Sequence, residues 1–288
     1  MSNELNPEEE KNFWWKLGHI RSLYLSVTLI ILFIIAMYGL PKPPPKTISP
    51  YVQKTYDIIN NLQPGDIVVT ECANDYAWYI THIPGALGML RQAIDRGVRL
   101  VEYETSNEGT MIFNYVILPA ITPRMEKMGY VYGRDWVRLG YIAGGDAAYA
   151  TMCDNPENLG TDLYGTPIKD IPLFNDFKSG ADIKLVLFTG YGLYGAIRQI
   201  VTRYGTDMVA VSHSGGLQWF YVYLQTGQLD GFIHGWEGGQ EYEYLIGEPG
   251  LGTFGAMAVS MGFYLCVAGI IVANIAYLGQ RFTGRSKK

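Results

Sequence analysis

The chain has 288 residues, 22 Lys and Arg against 27 Asp and Glu, and a formal net charge of −5. No basic footprint for nucleic acid exists, so no nucleic-acid partner is expected. Three cysteines exclude a disulfide scaffold.

An N-terminal tail, residues 1–22, carries Glu8, Glu9, Glu10, Lys11 and Lys16, with the aromatic group Phe13, Trp14 and Trp15. An apolar run follows at 23–40 and a second at 254–278, neither holding a Lys, Arg, Asp or Glu. Each is expected to cross the bilayer as a helix, because a helix satisfies its own backbone in lipid. A cleaved signal peptide is the alternative for the first run. The long acidic segment before it and the lack of an A-x-A site favour an uncleaved anchor.

Lys and Arg near the spans set orientation. From Tyr204 to Gln280 the chain has none, whereas Arg281, Arg285, Lys287 and Lys288 follow the second run. Around the first run, Lys11, Lys16 and Arg21 oppose Lys42 and Lys46, nearly a tie. A two-pass cell-membrane protein is expected, with both termini cytoplasmic, including a basic tail at 279–288, and the central domain extracytoplasmic.

Residues 41–50 hold Pro41, Pro43, Pro44 and Pro45 and read as a stiff polyproline II spacer. The domain proper is expected at 51–253. Short β-branched runs at 66–72, 98–104, 136–143, 183–189, 207–213 and 229–233 alternate with amphipathic patterns. Gly97 and Gly205 sit where helix C-caps belong. Pro119 and Pro123 must kink or split the apolar stretch 110–128. Residues 153–179 read as a long ordered loop or a hinge between lobes. The alternation predicts an α/β, Rossmann-like fold: a largely parallel sheet with helices on both faces, flanked by two transmembrane helices.

In such a sheet the loops after the strands share one edge, where ligands bind. Those loops supply Asn74, Asp75, Asn107, Glu108, Asp146, Tyr191, Ser212, His213 and His234. A small polar ligand would be lined by Asn107, Glu108, Asp146, Tyr191 and Ser212. Gly190, Gly192 and Gly195 fit a dinucleotide turn. The acid expected after the next strand is missing, so the glycines read as close-packing positions and no cofactor is expected. Ser212 to Gly216 resembles a nucleophile elbow with serine in the first small position. Ser214 and His213 are the residual catalytic candidates. Asp230 and His234 should lie at opposite ends of one short strand, and capping of the next helix by Ser212 and Ser214 is the expected role. No His or Cys pair has zinc-ligand spacing, so no metal is expected. Cys72 and Cys153 read as small buried hydrophobes.

In the second run Ala258, Gly262 and Cys266 recur every four residues and Asn274 continues the row, a helix-packing face toward the first span or a second copy. The sequence alone therefore favours a non-enzymatic structural or interaction module in a homo-oligomeric membrane assembly. A solute-binding or sensory domain and a Ser214 hydrolase are the alternatives.

Overall fold

The computed structural model describes residues 13–39 and 41–285. Glu8, Glu9, Glu10, Lys11, Leu40, Lys287 and Lys288 lie outside the described residues. The chain divides into two units, Pro43–Thr253 and the apolar helices with their flanks.

Within Pro43–Thr253 six strands form one sheet: β1 (Ile67–Ala73), β2 (Arg99–Glu104), β3 (Trp136–Tyr141), β4 (Ile183–Gly190), β5 (Asp207–Ser212) and β6 (Gly231–His234). Each lies within two residues of its predicted run. The order is β3-β2-β1-β4-β5-β6 and every neighbouring pair is parallel. Parallel neighbours need long crossovers, and helices supply them. The Rossmann-like expectation for this unit holds.

Both faces are covered, as the near-continuous apolar strands require. One face carries Val68, Leu100, Leu187, Val209 and Val211 against helices Tyr79–Asp95, Leu118–Lys127 and Gly235–Leu245. The other carries Val69, Val101, Val186, Phe188 and Ala210 against helices Asp146–Asp154 and Leu217–Thr226 and residues 194–204. Cys72 belongs to the first core and Cys153 to the second; both are free and buried. Helix Tyr79–Asp95 lies close under the sheet because Gly85 faces Val211 and Ile233, where a Cβ would come within 2.6 and 2.8 Å of their side chains.

The predicted break in 110–128 takes the form of a π-helical turn, Phe113–Ile117, just before Pro119. Proline offers no N–H to the preceding turn, and the wider turn absorbs that loss. Gly205 caps its helix in the left-handed region at φ 71°, as expected. Residues 153–179 are not a hinge: 3-10 turns there bury Ile168, Ile171, Leu173, Phe174 and Phe177 in the second core. The proline segment is no free rod either. Gln240 Nε2 donates to the Pro43 carbonyl at 3.2 Å, and the Ser49 N–H donates to Glu241 at 2.8 Å.

A buried ionic cluster ties β2 to β3. Arg138 Nε donates to Glu102 at 2.9 Å, and Nη1 donates to Asn114 Oδ1 at 2.6 Å. The guanidinium also lies 4.9 Å from the Phe113 ring centre and 3.5 Å from Glu104. Burial and the adjacent Glu102 push the Glu104 carboxyl far up, so it keeps its proton at neutral pH. The cluster is thus electrically balanced, one cation against one carboxylate.

Among the described residues one helix, Leu251–Phe282, is long and apolar enough to cross a bilayer. The first run forms the shorter apolar helix Ser22–Tyr38, which ends in a π turn at Ile35–Gly39. The expectation of two full-length spans is therefore met by only one. The two helices touch through small residues: a Cβ at Gly262 would lie 3.9 Å from Leu29 and 4.0 Å from Phe33, and one at Gly18 would lie 3.4 Å from Ala276. Of the predicted row, Ala258 is half-buried while Cys266 and Asn274 are exposed. The long helix begins inside the domain unit. Buried Glu243 accepts the backbone N–H groups of Gly250, Gly252 and Thr253 at 2.8, 2.7 and 2.8 Å. A carboxylate there satisfies orphan donors and complements the helix dipole.

Removing the cation from the ionic cluster strands a buried charge. Arg138→Met should cost about 3–5 kcal/mol. Glu104→Gln should cost far less, because that carboxyl is already neutral. Urea unfolding of the full chain in detergent measures both, and equal losses would show Glu104 to be ionised.

Candidate functional site

The strand order reverses between β1 and β4, and the loops leaving these strands diverge there. Gly190 ends β4 at φ 117°, and a Cβ on it would lie 2.2 Å from the Ala73 carbonyl oxygen. Glycine is therefore required, and the next residue, Tyr191, returns its N–H to that same carbonyl at 3.2 Å. Gly195 similarly admits the Tyr149 ring. Of the glycines that mimic a dinucleotide turn, Gly190 and Gly195 serve packing, whereas Gly192 has open space around it and takes a left-handed φ of 79°.

Asn74, the first residue past β1, is buried. Its Nδ2 donates to Cys72 Sγ at 3.2 Å, so its Oδ1 faces His82 Nδ1, 2.5 Å away. His82, in the first turn of helix Tyr79–Asp95, thus carries its proton on Nδ1 and presents a lone pair at Nε2. The residue is completely buried, and Nε2 has no partner. Burial, then the nearby His213, push the His82 pKa down to about 3, so the ring stays neutral.

Two more buried polar atoms in these loops lack partners, the Tyr191 hydroxyl and Ser212 Oγ. Unpaired buried groups cost about 1–3 kcal/mol each, so several in one place call for an explanation. His82 and Tyr191 belong to a group of rings. The His82 ring centre lies 5.3 Å from Tyr191 and 6.2 Å from His213. Tyr191 lies 5.1 Å from His213, and Trp78 stacks on His213 at 4.9 Å. Trp219 meets His213 edge-on at 6.3 Å. Exposure is graded: His82 is buried, His213 partly so, and Trp78 and Trp219 are outermost.

The sequence candidates divide. Tyr191 joins this group, and Ser212 ends β5 directly before His213. Glu108 bridges the first two edge loops, accepting the Tyr76 N–H at 3.0 Å. Asn107 is exposed at the start of helix Asn107–Ile112. Asp146 is held by Arg198 at 2.8 and 2.9 Å. Ser214 is exposed and His213 half-buried, and the cap position at His213 has no side-chain hydrogen bond. The expected caps by Ser212 and Ser214 are absent, because the chain enters that helix through a 3-10 turn at Ser214–Gly216. Asp230 precedes β6 and binds Lys54 and the Met208 N–H, while His234 ends the strand. Sequence reading did not place His82, Trp78 or Trp219 at this edge. The available signal was an ionisable residue on the apolar face of its helix, three positions before Gly85.

On the opposite face Glu71 lies fully buried under three hydroxyls. Tyr103 donates to it at 2.8 Å, Thr105 at 2.7 Å and Tyr149 at 2.5 Å. Burial outweighs these donors and raises its carboxyl to about 6. No group of three or more His, Cys, Asp or Glu able to hold a metal occurs among the described residues. A cleft of about 220 Å³ lies elsewhere, at the C-terminal ends of helices Tyr79–Asp95 and Gly235–Leu245, lined by Tyr56, Gln92, Arg124 and Glu248 among others. Its Arg124 is neutralised by Asp95 and Glu248, which suits a structural role.

No family model, curated protein or solved structure matches the chain. The site is read on its own geometry. His82 and Ser212 are both unpartnered, so they are not hydrogen-bonded to each other, and His82 is oriented by an amide rather than an acid. The arrangement lacks the bonded nucleophile and base of acyl-transfer chemistry.

Glu71 gives a pH signature. Its carboxyl is raised in the folded state, so its stabilising contribution is complete below about 4.5 and is lost as pH rises through about 6. Relative to Glu71→Gln, the native chain should lose about 2 kcal/mol between pH 4.5 and 7. Urea midpoints of both proteins across that range measure the difference, and parallel profiles would show that Glu71 does not titrate there.

Proposed function

We propose that this chain is a membrane-anchored binding domain that holds a small polar ligand at the β1/β4 switch point. One observation carries the reading: His82 Nε2, Tyr191 Oη and Ser212 Oγ are buried and unpartnered on the segments at the C-terminal ends of β1, β4 and β5, the edge where parallel sheets bind ligands. Sequence alone favoured a structural module. The unpaired groups favour binding, because a purely structural edge would satisfy or expose them.

Native mass spectrometry of the full chain, released gently from detergent, tests this. The native protein should carry a small-molecule adduct that His82→Leu loses while keeping its far-ultraviolet circular dichroism. Identical bare masses for both would refute a ligand at this edge.

We further propose the two-pass topology, both termini cytoplasmic. Two features support it: the Lys and Arg asymmetry across the long helix, and the packing of Leu29 and Phe33 on Gly262. A cysteine at Ser179 should react with a membrane-impermeant thiol reagent in intact cells, and one at Ser286 should not. The reverse pattern would invert the orientation. Assembly into a homo-oligomer through the exposed side of the long helix, where Cys266 and Asn274 lie, is compatible with this arrangement.

A further inference from the structure

The chemistry of the edge constrains what can bind there, given that the binding reading above is right. Between Asn74 and Leu90, between Thr105 and Ala120, and from Gly205 to Gly250 the chain has no Lys or Arg. The cation nearest in sequence, Arg198, is already paired with Asp146. Asp75 acts electrostatically on both Tyr191 and His213, and its Oδ1 accepts the Trp78 N–H at 2.9 Å. An anionic ligand beside Tyr191 and His213 would meet the Asp75 carboxylate. A cationic one would find that carboxylate and aromatic faces, which attract cations through their ring quadrupoles.

The tautomer sharpens this. Nδ1 of His82 is committed to Asn74, so Nε2 accepts and cannot donate. With its pKa so low, the ring does not become a competing cation near neutral pH. The innermost group of the site therefore asks for a donor, and the rim asks for positive charge.

From these two demands we infer that the ligand carries a primary ammonium group, one N–H of which is accepted by His82 Nε2 among the rings of Tyr191, His213 and Trp78. A primary ammonium offers three N–H donors, so a second can be accepted by the unpaired Tyr191 hydroxyl beside the His82 ring. A quaternary ammonium satisfies the rings but gives His82 nothing. The same group occurs on free amines and on aminophospholipid headgroups, both within reach of a membrane-anchored domain.

The test uses the full chain in phosphatidylcholine nanodiscs, with ¹⁵N-labelled histidine and intrinsic tryptophan fluorescence as readouts. Ethanolamine is titrated beside choline and acetate, and a second set of nanodiscs contains phosphatidylethanolamine without soluble amine. Ethanolamine or the aminolipid should shift the His82 Nε2 resonance saturably, with choline at least tenfold weaker and acetate without effect. A response to ethanolamine alone assigns a free amine; a response to the lipid alone assigns a headgroup. Tyr191→Phe, which removes one hydroxyl and keeps the ring, should weaken the response several-fold, and exposed Ser214→Ala should not change it. Choline matching ethanolamine, or no response to either amine source, overturns the inference. In that case an adduct lost on His82→Leu would leave the binding reading standing, and its absence would remove both.

Discussion

The close approach of β1 and β4 at Gly190 governs what this fold can do. A backbone at φ 117° against the Ala73 carbonyl admits no side chain. That contact brings Tyr191 onto the end of β1 and places it over the first turn of helix Tyr79–Asp95. The helix in turn reaches the sheet only because Gly85 lets Val211 and Ile233 come close. Two glycines thus set the distance between His82 and the rings around it. The Asn74 amide then fixes which nitrogen of His82 is free.

The same sheet places its acids by partner rather than by exposure. Glu102 and Glu104 alternate with apolar residues on β2, the pattern of a strand with one wet face, and Glu71 lies on the other face of the sheet, yet all three are buried. Glu71 is compensated by hydroxyls from β2, the following loop and helix Asp146–Asp154. Glu102 is compensated by Arg138, and Glu104 by retaining a proton. Ionised groups survive burial only with such partners. The interior at this end of the sheet is consequently specific in a way that apolar packing is not: each acid accepts one arrangement of neighbours.

Much of the fold was legible because local signals carry it. β-branched runs, glycine caps and the alternation of strand and helix periods located all six strands. What lay outside the sequence was pairing between distant elements. Nothing local says that Asn74 faces His82, since that bond depends on how helix Tyr79–Asp95 packs. Tyr191 was legible because it follows a strand and Ser212 because it ends one; Asp146 follows one too, but Arg198 from the next crossover claims it. Serines before a helix ordinarily cap it, and this expectation failed because a 3-10 turn intervenes. For the membrane segment, composition located both apolar helices, while length separated Leu251–Phe282 from Ser22–Tyr38.

The two domain cysteines belong to different cores, one on each side of the sheet. Burial raises both thiols, Cys153 to about 12, so neither offers a thiolate to an oxidant. With the sheet between them they cannot reach disulfide geometry while the domain stays folded. The fold is therefore indifferent to the redox state of its compartment. It needs no oxidative maturation and gains nothing from it, and a crosslink between Cys72 and Cys153 would mark chains that had opened.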